Sequence, residues 1–176
     1  MLAAHAQLVD AVPQALLVLV PRHPERFDRV AGLVKKSGLS LARRSDGGVP
    51  DAGVQVYLGD SMGELPVLLG AADAAFFGGS LVRVGGHNML EAAAQGVPMC
   101  FGQHNFNFAL ISSMLLECGA ARRVLDAQEL AAVMQEWLSD ASVRSAAGEA
   151  GRQMVERNRG ALGRLQRMVE ELLPQP

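Results

Sequence analysis

The chain has 176 residues, 49% of them apolar and 19% charged, a balance that supports one sizeable hydrophobic core and excludes intrinsic disorder. Sixteen Lys and Arg stand against 18 Asp and Glu, for a net charge of -2, and so weak a field excludes non-specific binding of a polyanion such as duplex nucleic acid. Cys100 and Cys118 lack CxxC spacing, and His5, His23, His87 and His104 form no HxxxH pair, so neither a disulfide framework nor a protein-held metal is expected.

The first apolar run, Ala15–Val20, is too short to span a bilayer and follows no basic segment, so a soluble chain without an export signal is expected. From there short β-rich runs alternate with stretches of helical spacing, punctuated by Gly and Pro. The runs predict strands at Ala15–Val20, Leu39–Ala42, Val54–Leu58, Ala74–Phe77, Pro98–Phe101 and Arg122–Leu125. Helices are predicted at Glu25–Lys36, Leu65–Gly70, Gly86–Gln95, Phe106–Cys118 and Ala127–Ser139, and over a long amphipathic stretch from Ser142 to Leu173. Several strands are apolar throughout, as in parallel sheets covered on both faces, so the pattern predicts an α/β Rossmann-like, doubly wound parallel sheet. Residues 1–141 form its body and 142–176 a helical segment packing on it, with a break expected near Asn158-Arg159-Gly160. Arg43–Gly53, rich in turn residues, reads as an exposed mobile loop.

The chemistry concentrates in loops that follow strands, where open α/β sheets bind ligands. Phe77-Gly78-Gly79-Ser80 is followed by Gly85-Gly86-His87-Asn88-Met89-Leu90-Glu91 at a predicted helix start. There the backbone amides of Gly79 and Ser80 and the free N–H groups of a helix starting near Gly86, with the Ser80 hydroxyl and Asn88 amide, suit a phosphate, and Glu91 suits two hydroxyls of a ribose. Equally, Asn88 and Glu91 fit a helix-capping pattern. Val20-Pro21-Arg22-His23-Pro24-Glu25 opens the next helix after a strand; Arg22 suits a phosphate and His23 an acid–base role, against a reading of both as solvated turn residues. In Gly59-Asp60-Ser61-Met62-Gly63-Glu64, Asp60 or Ser61 suits a cap, while Met62 and Gly63 suit either a flat nucleobase or a tight turn. In Gly102-Gln103-His104-Asn105-Phe106-Asn107-Phe108, Asn105 or Asn107 suits a cap and the phenylalanines a core anchor.

Taken in order, Pro-Arg-His-Pro-Glu-Arg-Phe at 21–27, Gly-Asp-Ser-Met-Gly-Glu-Leu at 59–65, Gly-Gly-Ser at 78–80, Gly-Gly-His-Asn-x-Leu-Glu at 85–91 and His-x-Phe-Asn-Phe at 104–108 resemble the 3-deoxy-D-manno-octulosonic acid (Kdo) transferase family. The likeness runs from about Ala4 to Leu173, with Ala92 and Gln103 standing where the family has proline. It implies the C-terminal, donor-binding half of a GT-B glycosyltransferase that moves Kdo from CMP-Kdo to a lipid A precursor in lipopolysaccharide biosynthesis. The donor-binding residues it implies are Arg22, His23, Met62, Gly63, Gly79, Ser80, Gly86, Asn88 and Glu91. CMP-Kdo is then a substrate, and no cofactor or metal is implied. The general base would lie on the N-terminal domain, through which the acceptor is reached, so the chain by itself is expected to be inactive. The full enzyme would sit peripherally at the cytoplasmic face of the inner membrane in Gram-negative bacteria. The apolar face of the last helix is expected to be exposed, or paired with a second copy. Two rivals stand beside this reading: the donor half of a UDP-N-acetylhexosamine GT-B transferase, and a nonenzymatic nucleotide-binding or interaction module.

Overall fold

The computed structural model describes residues 1–160. Along them run α1 (Leu2–Ala11), β1 (Leu17–Leu19), α2 (Phe27–Lys36), β2 (Leu41–Arg43), β3 (Val56–Leu58), α3 (Leu65–Gly70), β4 (Ala75–Phe77), α4 (Leu90–Ala94), β5 (Met99–Phe101), α5 (Ala109–Glu117), β6 (Ala121–Arg123), α6 (Ala127–Ser139) and α7 (Ala141–Asn158). Single 3-10 turns lie at Pro24–Arg26, Arg44–Asp46 and Phe106–Phe108.

All strand pairs are parallel, in the orders β1-β3-β2 and β4-β5-β6. The α/β character expected from the pattern is present, but the sheet is divided into two three-stranded halves. No ladder bonds join them; α1 and the loops beyond the strands do so instead. Ala4 of α1 packs in a cluster with Phe76, Cys100 and Trp137, while the His5 imidazole lies 2.8 Å from the Gln55 carbonyl oxygen next to β3.

Both faces of the second half-sheet are covered, and β5 displays the consequence of a two-residue side-chain period. Met99 and Phe101 belong to a cluster with Met89, Ala92, Ala93, Leu115 and Met154, whereas Cys100 between them belongs to the cluster with Val124, Leu130 and Trp137. The Cys100 thiol is buried, and desolvation pushes its pKa far up, so it is an inert core residue. In the first half-sheet Val56 and Leu58 are fully buried, as is Val34 of α2.

Helix ends follow local chemistry where a cap is available. The Asp126 carboxylate accepts from the N–H groups of Gln128 and Glu129 to open α6, and the Glu129 carboxylate accepts in turn from Leu125 N–H at 2.8 Å. Asp140 opens α7 in the same way on Ser142 and Val143. α7 runs unbroken to Asn158 and ends where the break was expected; the remainder of the predicted amphipathic helix, 161–173, lies outside the described residues. Its glycines do not weaken it in place. They form its contact face, with Gly148 and Gly151 buried against Gly96, Ala93 and Ala120.

Three expectations change. α1 has no predicted counterpart, because Leu2–Ala11 lacks a capping residue and spreads its apolar residues around the helix. The helix expected from Gly86 begins at Leu90, since Gly85 and Gly86 take φ of +106° and +77°, outside the right-handed helical region. The loop expected to be mobile from Arg43 starts with the end of β2 and an ordered 3-10 turn.

A Cβ at Gly148 would overlap the Gly96 carbonyl oxygen, whereas one at Gly32 in α2 would meet nothing. Gly148→Ala is therefore expected to lower the free energy of unfolding by about 1–3 kcal/mol. Gly32→Ala is expected to raise it by about 0.5–1 kcal/mol. Urea unfolding midpoints at constant slope measure both, and an unchanged midpoint for Gly148→Ala would show that α7 has room to spare.

Candidate functional site

Four loops leave the carboxyl ends of β1, β3, β4 and β5, and hydrogen bonds join each to a neighbour. Gly59 N–H donates to the Leu19 carbonyl at 3.0 Å, setting the loop beyond β3 beside Val20–His23. Beyond β1, Arg22 Nη1 lies 3.4 Å from Nδ1 of His87 in the loop beyond β4. Within that loop Gly86 N–H donates to Gly79 O at 3.1 Å. His104 N–H, beyond β5, donates to Ser80 O at 2.8 Å. The segments singled out by sequence thus meet along one rim.

Their side chains divide by what they already bind. Arg22 and His23 are exposed, and His23 Nδ1 stands 3.9 Å from Glu25. Met62 is 63% exposed, and Gly63 has φ +82°. The Asn88 side-chain oxygen accepts from Leu90 N–H at 3.1 Å, a local turn that leaves its NH2 as donor. Glu91 is exposed and has no hydrogen-bond or ion-pair partner among the described residues, so the reciprocal capping box is not formed. Ser80 departs from its expected role: it is fully buried, its hydroxyl donating to Phe77 O at 2.5 Å and accepting from Gly102 N–H at 2.8 Å. It braces the two loops. With the helix starting at Leu90, the Gly86 amide is bonded to Gly79 rather than being a free helix-end donor.

The double glycine at 85–86 is explained by the protein itself. A Cβ at Gly85 would overlap the Asn107 amide and approach Phe106, and one at Gly86 would overlap the Asn105 side-chain oxygen. Asn105 is 7% exposed and donates from Nδ2 to Gly102 O at 2.8 Å; its oxygen has no hydrogen-bond partner and faces Gly86. Neither Asn105 nor Asn107 caps the following turn with its side chain. Their role is tertiary, and nothing in the spacing of 85–86 and 105–107 announces it.

Charge is arranged asymmetrically around the rim. Arg22, His23 and His87 gather at one part of it, and no carboxylate lies within 4 Å of Arg22 or His87 among the described residues. Burial, and then the charges of Arg22 and His23, hold His87 below the ordinary imidazole value. His87 was not among the predicted site residues although it lies inside their motif.

At the end of β2 and just beyond it, Arg43 and Arg44 are paired with carboxylates. Arg43 Nε donates to Asp60 at 2.6 Å and its Nη1 to Asp28 at 2.9 Å, while Arg44 holds Glu64 through two bonds and the Ser61 hydroxyl bonds the same carboxylate. Asp60 also accepts from the Ser45 N–H and hydroxyl, so it clasps the loop beyond β2 rather than capping α3. The net of bonds steadies the loop that carries Met62 and Gly63. An open cleft of about 370 Å3 lies elsewhere, at the amino end of β6, where its one charged lining residue, Arg122, is held by Glu136.

No protein-family model matches the chain. It is 44% identical over 173 residues, 98% of its length, to the 3-deoxy-D-manno-octulosonic acid transferase of Haemophilus influenzae, and 40% identical over 164 residues to that of Bordetella pertussis. It covers 40% and 38% of these proteins, so it spans about two-fifths of the length of the curated relatives it matches. Among solved structures it resembles the C-terminal CMP-Kdo binding domain of WaaA from Acinetobacter baumannii, with a TM-score of 0.78 and 32% identity over 86% of this chain and 83% of that one.

Burial alone would raise the Asp60 carboxyl, but the Ser45 hydroxyl, Arg43 and the Ser45 N–H outweigh it and hold the pKa at about 2, against 3.8 ordinarily. A carboxyl lowered on folding contributes stability that is complete above its unfolded value and lost as pH falls through the folded one. Asp60→Asn is accordingly expected to cost about 2 kcal/mol at pH 7 and progressively less between pH 4 and pH 2. Urea unfolding across that range measures it; a cost constant with pH would show that the clasp does not depend on the Asp60 charge.

Proposed function

The chain belongs to the Kdo transferase family, aligning with its C-terminal domain, and on that premise we propose that it is the half of the enzyme that holds the donor CMP-Kdo. The observation that carries this reading is the Arg22 guanidinium, with no carboxylate within 4 Å among the described residues, beside the His87 imidazole and on the same rim as the Asn88 amide and the Glu91 carboxylate, which has no partner among the described residues. A cytidine monophosphate needs such a combination: donors and positive charge for its phosphate, an acceptor for its ribose hydroxyls. The Gly79 segment and Asn88 border the phosphate, Glu91 takes the ribose, and Met62 with Gly63 flanks the base.

In the transfer, a hydroxyl of the lipid A precursor attacks the anomeric carbon of Kdo while CMP leaves with the bonding pair, its phosphate gaining charge. Arg22 and Asn88 act on that charge, which grows along the reaction coordinate and is therefore held more tightly in the transition state than in the ground state. The base that deprotonates the acceptor is supplied by the part of the relatives' length that this chain does not span, so this half alone does not turn over. The full enzyme works peripherally at the cytoplasmic face of the inner membrane; no helix among the described residues is long and apolar enough to cross it. Val82, Val84, Phe106 and Leu110, exposed on the loops beyond β4 and β5 and on α5, are apolar surface for the other half to cover.

Calorimetric titration of the chain with CMP and with UDP tests the assignment: CMP is expected to bind more tightly. Arg22→Ala is expected to weaken CMP by about tenfold to a hundredfold, the usual value of a hydrogen bond to a charged group. Preference for UDP would transfer the assignment to the N-acetylhexosamine enzymes, and turnover of CMP-Kdo and acceptor by the chain alone would overturn the division of labour.

A further inference from the structure

His87 stands between the two groups of the rim best suited to a phosphate. Its Nδ1 faces Arg22 Nη1 at 3.4 Å, and its Nε2 lies 3.4 Å from the point a Cβ on Gly79 would occupy. A guanidinium has donors alone, so the ring accepts at Nδ1 and carries its proton at Nε2, directed to the Gly79 side. The charged groups acting on it are Arg22 and His23, both from the loop beyond β1; Arg83 and His104 lie on the adjoining loops. No carboxylate stands within 4 Å of the ring among the described residues to favour its cation. The ring is half-buried beside the Arg22 guanidinium, with room for a counter-charge on that side.

Resting on the donor-site reading above, we propose that His87 is a further phosphate-binding side chain of this site, neutral in the free protein and taking up one proton when the donor phosphodiester binds. An anion arriving at Arg22 draws the guanidinium donor onto its own oxygens and frees Nδ1. That nitrogen then takes a proton from solvent and donates it as a second charged hydrogen bond to the phosphate. No covalent bond changes; the balance is one proton in and one negative charge offset. The sign follows from linkage: an anion stabilises the imidazolium, so the His87 midpoint rises on binding and affinity grows as pH falls. Each unit by which the midpoint rises corresponds to about tenfold between the acidic and alkaline limits of affinity.

The probe is the methyl ester of CMP, a phosphodiester like that of the donor, which has no phosphate proton of its own in this range, whereas a phosphomonoester titrates near pH 6. The four histidine Cε1–H resonances of the chain, assigned with His87→Gln, are followed from pH 5 to pH 8 without and with saturating ester. The His87 midpoint is expected to rise by about one unit or more, with calorimetry finding about tenfold tighter binding at pH 5.5 than at pH 8. His87→Gln is expected to bind weakly and with that pH dependence lost. Binding that leaves the His87 midpoint unmoved, or a shift at His23 alone, overturns this proposal while leaving the donor-site reading intact. Absence of binding at every pH overturns both.

Discussion

One fully buried hydroxyl joins the two loops on which the site stands. Ser80 donates to Phe77 O and accepts from Gly102 N–H, so the chain leaving β4 is fastened to the chain leaving β5. The approach is so close that a Cβ at Gly102 would strike the Ser80 backbone. Because the Ser80 hydroxyl and the Gly102 N–H are buried, losing the bond between them would strand buried polar groups. The placement of Gly79, Gly86 and His87 depends on this junction, and Asn105 and Asn107 extend it by packing onto the double glycine. The glycines in the rim serve the protein's own loops before they serve any ligand.

The rim separates two uses of arginine. Arg43 is paired with Asp60 and Asp28 and Arg44 with Glu64, and Asp60 is so well provided with donors that its carboxyl stays ionised far into acid. Such paired cations stiffen a loop and have little left to offer an anion. Among the described residues Arg22 has no carboxylate within 4 Å and faces the His87 imidazole. A chain whose overall charge is slightly negative can therefore keep an arginine available on the rim, because Asp28, Asp60 and Glu64 pair with Arg43 and Arg44 and not with Arg22.

Much of the fold was legible because parallel strands buried on both faces leave continuous apolar runs. Val56-Tyr57-Leu58 and Met99-Cys100-Phe101 fall inside predicted strands, and α3 and α6 fall where helical spacing placed them. The Asp126 cap that opens α6, made with Glu129 three residues on, is a local pattern of the kind a sequence carries, though the spacing of apolar residues was what placed the helix. α1 was not legible, since its place is set by packing against α6 and the β4–β6 half rather than by its own pattern. The helix start at Leu90 instead of Gly86 was likewise decided from outside, by Asn105 and Asn107 twenty residues on.

The sequence by itself determined the class of the fold, the order of its strands and of the helices that follow α1, and the identity of the loops that carry polar and glycine residues at strand ends. These follow from periodicity and from backbone preferences of individual residue types, which act over a few residues. Only the tertiary structure decided which of those polar groups are spent inside the protein and which remain free. Ser80 and Asp60 look from the chain like ligand or cap residues and prove to be braces, while the Glu91 carboxylate has no partner among the described residues and His87 comes up against Arg22. The reason is that hydrogen bonds between distant loops depend on where the sheet puts them, and that distance in space has no counterpart in distance along the chain.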